Sequence, residues 1–333
     1  SLYVMAGSKK NDLLSNEAAL KYFLMGSFAT GFLLFGIALI YGATGSFNLS
    51  NISYYISQNP QAIPTFFYAG VLMMLVGMAF KVSAAPFHFW APDVYQGAPT
   101  VVTAFMATIV KTAAFAAFFR LFAGCFALAS TGWADVVTLL SILTLLAGNI
   151  TAIFQKSTKR MLAYSSVAHA GYMLIALVSL SNNSGSTILY YAAAYSLATI
   201  ITFTVLFNIL KTAEDSIESF NGLSKKNPLA AFAMTIALLS LAGIPPMAGF
   251  FAKYYLFTAA LEANKMSLVI VAVIASLIGV YYYFRIIIAM YFKSSKNEDT
   301  MQLSTPHQIL LVIALLLTFI LGLMPELLLA VLR

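Results

Sequence analysis

The chain is 333 residues long, 61% hydrophobic and 9% charged, with 18 Lys and Arg against 11 Asp and Glu for a formal net charge of +7. A soluble domain carries about 25% charged residues, so this composition excludes an ordinary soluble enzyme. The single cysteine, Cys125, excludes an intrachain disulfide and a cysteine-held iron–sulfur cluster on this chain.

Apolar runs of about 20 residues, long enough to cross a bilayer as a helix, recur along nearly the whole sequence. The alternating pattern of a membrane barrel is absent. The expected architecture is an all-α polytopic membrane protein, a single membrane domain over residues 1–333. Residues 1–7 read as the tail of an interrupted apolar span with no initiator Met, so further helices are expected upstream. Nine full spans are predicted, at about 20–42, 63–97, 99–124, 135–154, 160–180, 187–211, 229–262, 267–292 and 307–332.

In chain order, the first span opens at Lys21, expected at the membrane interface. The 43–62 stretch, rich in Gly, Ser and Asn, is expected to be an outer loop. The second span is too long for one crossing and contains Pro86 and Pro92; the seventh is also long and contains Gly243, Pro245, Pro246 and Gly249. They lie five spans apart and so cross in opposite directions. That is the arrangement of inverted five-helix repeats, in which paired broken helices mark an ion path. The 212–228 connection, with Glu214, Asp215, Glu218, Lys225 and Lys226, reads as a solvated connector with a short surface helix; 293–306 is the other long loop on that side.

Loop charge orients the chain, since Lys and Arg accumulate on the cytoplasmic side. With Lys156, Lys159 and Arg160 inside, alternation places Lys9, Lys10, Lys211, Lys225, Lys226, Lys293 and Lys296 inside too. Only Lys265 and Arg333 fall outside. The net charge therefore needs no anionic partner. No basic–aromatic pattern for nucleic acid, no Gly-rich dinucleotide fingerprint and no P-loop is present.

Three lysines lie well inside apolar spans: Lys81 before the Pro86 break, Lys111 near the middle of the third span, and Lys253 after the Pro245-Pro246 break. A charge at the bilayer centre costs roughly 2.5–3.5 kcal/mol on insertion scales, so such residues are by default functional. Lysine can gain or lose its proton as neighbouring charges move, whereas arginine stays charged. His88 and His169 are further candidates, because imidazole exchanges protons near neutral pH. The plainer alternative for each lysine is a snorkelling or salt-bridged side chain, and for each histidine a packing residue. No Asp or Glu lies mid-span, so a carboxylate partner is expected upstream of Ser1 or on a neighbouring subunit. Arg120 and Arg285 are expected to be structural, Asp93 to cap the helix restart after Pro92, and Tyr281-Tyr282-Tyr283 to be interface packing.

The run Pro86-Phe87-His88-Phe89-Trp90-Ala91-Pro92-Asp93-Val94-Tyr95-Gln96-Gly97-Ala98-Pro99-Thr100, following Lys81, closely resembles the antiporter-like subunits of respiratory complex I. Residues 94–99 are worded like the subunit N branch of NADH-quinone oxidoreductase rather than its L or M paralogues. Similar matches occur at Ala18-Ala19-Leu20-Lys21-Tyr22-Phe23, at Tyr164-Ser165-Ser166-Val167-Ala168-His169-Ala170-Gly171-Tyr172, and at Ala242-Gly243-Ile244-Pro245-Pro246 with Gly249-Phe250-Phe251-Ala252-Lys253. The resemblance spans essentially the whole chain.

It implies a proton-translocating membrane-arm subunit in a bacterial plasma membrane, with two hydrated half-channels joined by a polar axis. By position, Lys81 matches the lysine of the first broken helix, Lys111 the central connecting lysine, and Lys253 the lysine of the second broken helix; His88 and His169 match polar positions between. NADH, FMN, iron–sulfur clusters and quinone would be bound by other subunits. Partners would be the antiporter-like subunit M and the small membrane subunits. The family's glutamate partner of the first lysine would precede Ser1, so this stretch alone is not expected to pump. The alternatives are a subunit of a multi-subunit Na⁺/H⁺ antiporter or membrane-bound hydrogenase, which share the fold, and a structural spacer of the membrane arm.

Overall fold

The computed structural model describes residues 1–180, 184–295 and 301–332. Lys296 and Arg333, assigned to the inner and outer faces above, lie outside the described residues, as does part of the 293–306 loop. Every backbone amide inside a bilayer must be satisfied within the protein, which leaves helices as the means of crossing here. Eight helices among the described residues are long and apolar enough to do so. They are α1 (Leu13–Thr44), α2 (Thr65–Val82), α4 (Thr100–Cys125), α5 (Ala134–Ile153), α6 (Thr158–Ser179), α7 (Ser184–Ile209), α10 (Met266–Phe292) and α11 (Thr305–Leu323). Two breaks supply the remaining pieces. α2 is followed by the short α3 (Trp90–Gly97), and between α7 and α10 the chain forms α8 (Pro228–Ala242) and α9 (Ala248–Glu262). Both long prolyl spans are thus broken helices, as their sequence requires.

Each break is built the same way. α2 stops at Ser83 and α8 at Gly243, both in the left-handed region, with φ of 64° and 85°. A cis X–Pro bond follows in each, at Ala85–Pro86 and Pro245–Pro246. Backbone groups released by the breaks find side-chain partners. The Trp90 indole donates to the Phe80 carbonyl at 3.0 Å, the Ala85 amide to the Thr144 hydroxyl at 2.8 Å, and the Gly249 amide to the Ser240 hydroxyl at 3.1 Å. Unpaired, such groups would each cost about 1–3 kcal/mol when buried.

Packing inverts the usual order of polarity. α6 has a mean hydropathy of 1.5, the lowest of the eight, yet 94% of its most apolar window is buried; α1, at 2.1, is only 22% buried. Lipid is as apolar as leucine, so apolar faces gain nothing by turning inward, and polar ones do. α6 is accordingly the centre of the bundle, with α3, α5, α7, α9 and α10 packed around it. Its N-terminus is capped by Ser157, and Asp215 of the 212–228 connection accepts from the Ser157 hydroxyl and the Lys159 amide. The Ile217 amide donates to the Lys156 carbonyl, so the two loops assigned inside do meet on one face. Lys265, assigned outside, pairs with Asp135 at 3.5 Å.

The structure corrects two details and adds one. The 43–62 stretch contains a helix, Leu49–Gln58, whose Ile52 and Ile56 are buried. The third span is not uniform: π-helical turns occupy Met106–Val110 and Arg120–Cys125. The ninth ends at Leu323, with a separate helix at Glu326–Leu332.

Gly249 tests how tight the second break is. A Cβ there would run into the Ser240 carbonyl, which is backbone and cannot swing away, whereas one at Gly31 meets nothing within 4 Å. Overpacking of this kind costs about 1–3 kcal/mol or more. Gly249→Ala should sharply reduce the assembled subunit seen on a native gel, and Gly31→Ala should leave it unchanged.

Candidate functional site

Three of the five candidates meet around α6. Lys111 follows directly on the first π turn of α4, a distortion that often marks functional positions. It is 4% exposed, and its ammonium donates to the Ser166 carbonyl at 2.6 Å and to the Ser166 hydroxyl. Lys253 is 7% exposed; it donates to the Ala242 carbonyl at 2.8 Å and to the Ser276 hydroxyl at 2.7 Å, and lies 4.8 Å over the Tyr172 ring. His169 stands between them, its ring beside Tyr195 on the Lys111 side and 5.9 Å from Tyr172 on the Lys253 side. Its Nδ1 is 2.7 Å from the Tyr191 hydroxyl and its Nε2 3.2 Å from the Tyr283 hydroxyl. A neutral imidazole carries one N–H, so it donates to one tyrosine and accepts from the other. A proton taken up on one ring nitrogen can leave from the other.

Hydroxyls fill the intervals. Ser166 is a hub, with Lys111 on one side and the Tyr95 hydroxyl at 3.4 Å on another. The Tyr195 ring lies 4.8 Å from that of His169, and Lys111 is 5.8 Å from its centroid. Tyr283 bonds Ser165 as well as His169. Two small cavities of about 10 Å³ flank Tyr195, one touching His169, Tyr191 and Ser240, the other Ser165, Thr199 and Thr202. Each is close to the least volume that admits one water molecule.

The lysines of the two broken helices sit at comparable places. Lys81 is in the last turn of α2, and Lys253 reaches back from α9 to the last residue of α8. Free carbonyls at a helix C-terminus carry partial negative charge and favour a cation. Lys81 is half-buried and makes no hydrogen bond or ion pair with the described residues. His88 is buried in the first break, beside Phe89 and Tyr164, with its Nδ1 unpartnered among them. Neither touches the Lys111–His169–Lys253 group directly. No cluster of His, Cys, Asp or Glu suited to a metal occurs among the described residues.

Several readings from sequence need correction. Asp93 caps nothing; α3 starts at Trp90 with no side-chain cap, and Asp93 instead binds Lys21 at 2.7 Å and Arg160 at 2.6 Å. Lys21 is therefore paired rather than simply interfacial. Lys159, counted among the loop lysines above, is a buried residue of α6, and its ammonium donates to the Ala98 carbonyl at 2.9 Å. Of the three tyrosines at 281–283 only Tyr281 is exposed; Tyr282 binds Asn149 and Tyr283 belongs to the site. Arg285 does act structurally, donating to the Ile153 carbonyl at the end of α5. Residues missed from sequence are Ser166, Tyr172, Tyr191, Tyr195, Ser276 and Tyr283. A signal existed for some: Tyr191, Tyr195, Thr199 and Thr202 recur at helical spacing within an apolar span.

Buried lysines on neutral oxygens between two broken helices define the antiporter-like class of membrane proteins. The family described as NADH:quinone oxidoreductase/Mrp antiporter, transmembrane, matches residues 1–279. NADH-quinone oxidoreductase subunit N of Cytophaga hutchinsonii is 46% identical, over 99% of this chain and 71% of the relative. That of Flavobacterium psychrophilum is 47% identical, over 100% and 72%. The chain belongs to the NADH-quinone oxidoreductase subunit N family. Among solved structures, a chain of respiratory complex I from Thermus thermophilus superposes with a TM-score of 0.86 at 39% identity, covering 99% of this chain and 71% of that one. A chain of the Mrp complex from Dietzia shares the fold at a TM-score of 0.84 and 22% identity, covering 96% and 67%.

Tyr283→Phe removes the hydroxyl shared by Ser165 and His169 and keeps the ring. The loss of one hydrogen bond of about 1.4 kcal/mol in the transition state corresponds to roughly tenfold in rate. NADH-driven proton pumping should fall by about that factor, while Tyr281→Phe, on an exposed ring, should pump as the wild type does.

Proposed function

We propose that this chain carries protons across the membrane arm through Lys81, Lys111, His169 and Lys253, in response to quinone reduction on other subunits. The observation that carries the reading is the Lys111–Ser166 and His169–tyrosine–Lys253 cluster, in which every ammonium rests on neutral oxygens. A lysine locked to a carboxylate is held in one state. One held by carbonyls and hydroxyls can release its proton without leaving an orphaned anion behind.

In this reading Lys81 and His88 load from the first break, and Lys111 hands on towards His169. Lys253 delivers at the second break, towards the outer side. The two broken helices serve as the paired elements of an inverted repeat. NADH, FMN, iron–sulfur clusters and quinone belong to partner subunits, so this chain supplies transport and no redox step. The partners are the neighbouring antiporter-like subunit M and the small subunits of the arm, in a bacterial plasma membrane.

The test is NADH-driven acidification of inverted vesicles carrying the full-length subunit with Lys111→Ala, with NADH oxidation recorded in parallel and assembly checked on a native gel. Pumping and oxidation should fall together by at least about tenfold in an assembled complex, the loss of an obligatory transfer step. Undiminished pumping in both Lys111→Ala and Lys253→Ala would make the lysines scaffolding and the subunit a spacer.

A further inference from the structure

We propose that Asp93 is a positioning residue for Lys111, acting through α3, and that the cytoplasmic ion-pair chain Glu17–Lys21–Asp93–Arg160 holds that short helix in register. The proposal rests on the reading of Lys111 as part of the proton route.

α3 has eight residues between two interruptions, far too few to be stable by its own hydrogen bonds. Its place is set by what grips it. At its start, Trp90 stacks on Tyr22 of α1 with ring centroids 4.6 Å apart. At its middle, the Asp93 carboxylate bridges two other helices, with one oxygen 2.7 Å from Lys21 of α1 and the other 2.6 Å from Arg160 of α6. Arg160 also donates to the Gln96 side chain at 3.0 Å, so it holds α3 at positions three residues apart, on one face. At its end, Lys159 takes the Gln96 and Ala98 carbonyls.

Tyr95, two residues from Asp93, points the other way and is buried. Its hydroxyl reaches Ser166, and Ser166 is the residue on which Lys111 rests. One rigid turn of helix therefore joins a charge network at the cytoplasmic face to the oxygen that accepts from the central lysine. If α3 shifts, Tyr95 leaves Ser166, and the competition for the Ser166 hydroxyl changes.

The network is arranged so that losing the Asp93 charge leaves neither cation without a hydrogen-bond partner. Lys21 keeps Glu17, four residues before it on α1, and Arg160 keeps Gln96 and Gln155. The side chains of Lys21, Asp93 and Arg160 remain 41%, 31% and 29% exposed. Asp93→Asn should consequently assemble, and its effect should be felt at Lys111 rather than in folding.

The experiment uses the assembled complex in inverted vesicles, with NADH-driven acidification and NADH oxidation measured for Lys111→Ala, Asp93→Asn, Asp93→Glu, Ser166→Ala and the Asp93→Asn/Ser166→Ala pair. Asp93→Asn should slow pumping between about three- and tenfold, the equivalent of one weakened hydrogen bond. Asp93→Glu should restore most of it. The double variant should be no slower than Ser166→Ala alone, because both changes act on the same contact. Wild-type rates in Asp93→Asn, or losses that multiply in the double variant, overturn the positioning role. Should Asp93→Asn fail to assemble, Tyr95→Phe, which leaves the ion pairs intact, must reproduce the slowing, and wild-type pumping there overturns it. Lys111→Ala separates the two readings: pumping retained in that variant removes the proton route itself, whatever the Asp93 variants do.

Discussion

An ammonium group buried in a hydrocarbon slab needs oxygen acceptors, and with no carboxylate in mid-span this chain gives Lys111 and Lys253 neutral ones. The rest of the bundle follows from that constraint. Lys111 takes the carbonyl and hydroxyl of Ser166, and Lys253 takes the Ala242 carbonyl and the Ser276 hydroxyl. The helix that offers two of these four groups, α6, is the least hydrophobic of the candidate spans and the most buried. In water the same sequence order would make little sense. In lipid it is what the cost of an exposed polar group demands.

The broken helices are the second consequence. An unbroken helix consumes its own carbonyls; one that stops in mid-membrane leaves the last turn free to face a cation. Ser83 and Gly243 end α2 and α8 in left-handed turns, and Lys81 and Lys253 lie at those ends. The prolines enforce the interruption by removing amide donors, and Trp90, Thr144 and Ser240 satisfy the groups that remain. At the second break the freed Ala242 carbonyl receives Lys253, while at the first Lys81 lies in the last turn of α2 with no hydrogen bond to the described residues.

Charge is handled differently at the membrane faces. Asp93, Lys21, Glu17 and Arg160 form an alternating chain of partners in partly exposed positions, where each pair alone would contribute little. Their effect is geometric, because they tie three helices that meet at the first break. Asp215 does comparable work at the start of α6, joining the 212–228 connection to its N-terminus, where a carboxylate is favoured by the free amides. The interior lysines rest on neutral oxygens, and ion pairs tie the helices together at one edge of the bundle.

By itself the sequence determined the solvent, the crossings, the two breaks and the three interior lysines. Each of these is a local property: a run of apolar residues, a proline within it, a charge within it. That the 155–160 and 212–228 loops share one face was legible too, because lysines accumulate in alternate connections. The partners were decided only by the tertiary structure. Nothing local says that Lys111 rests on Ser166, 55 positions away, or that Tyr283 closes on His169 from 114 positions away. Asp93 looked like a cap beside Pro92 and proved to be a bridge between α1 and α6; Lys159 looked like a loop residue and proved to be a buried residue of α6. A hydrogen bond joins two groups in space, and only the packing of helices about α6 brings those groups within reach of one another.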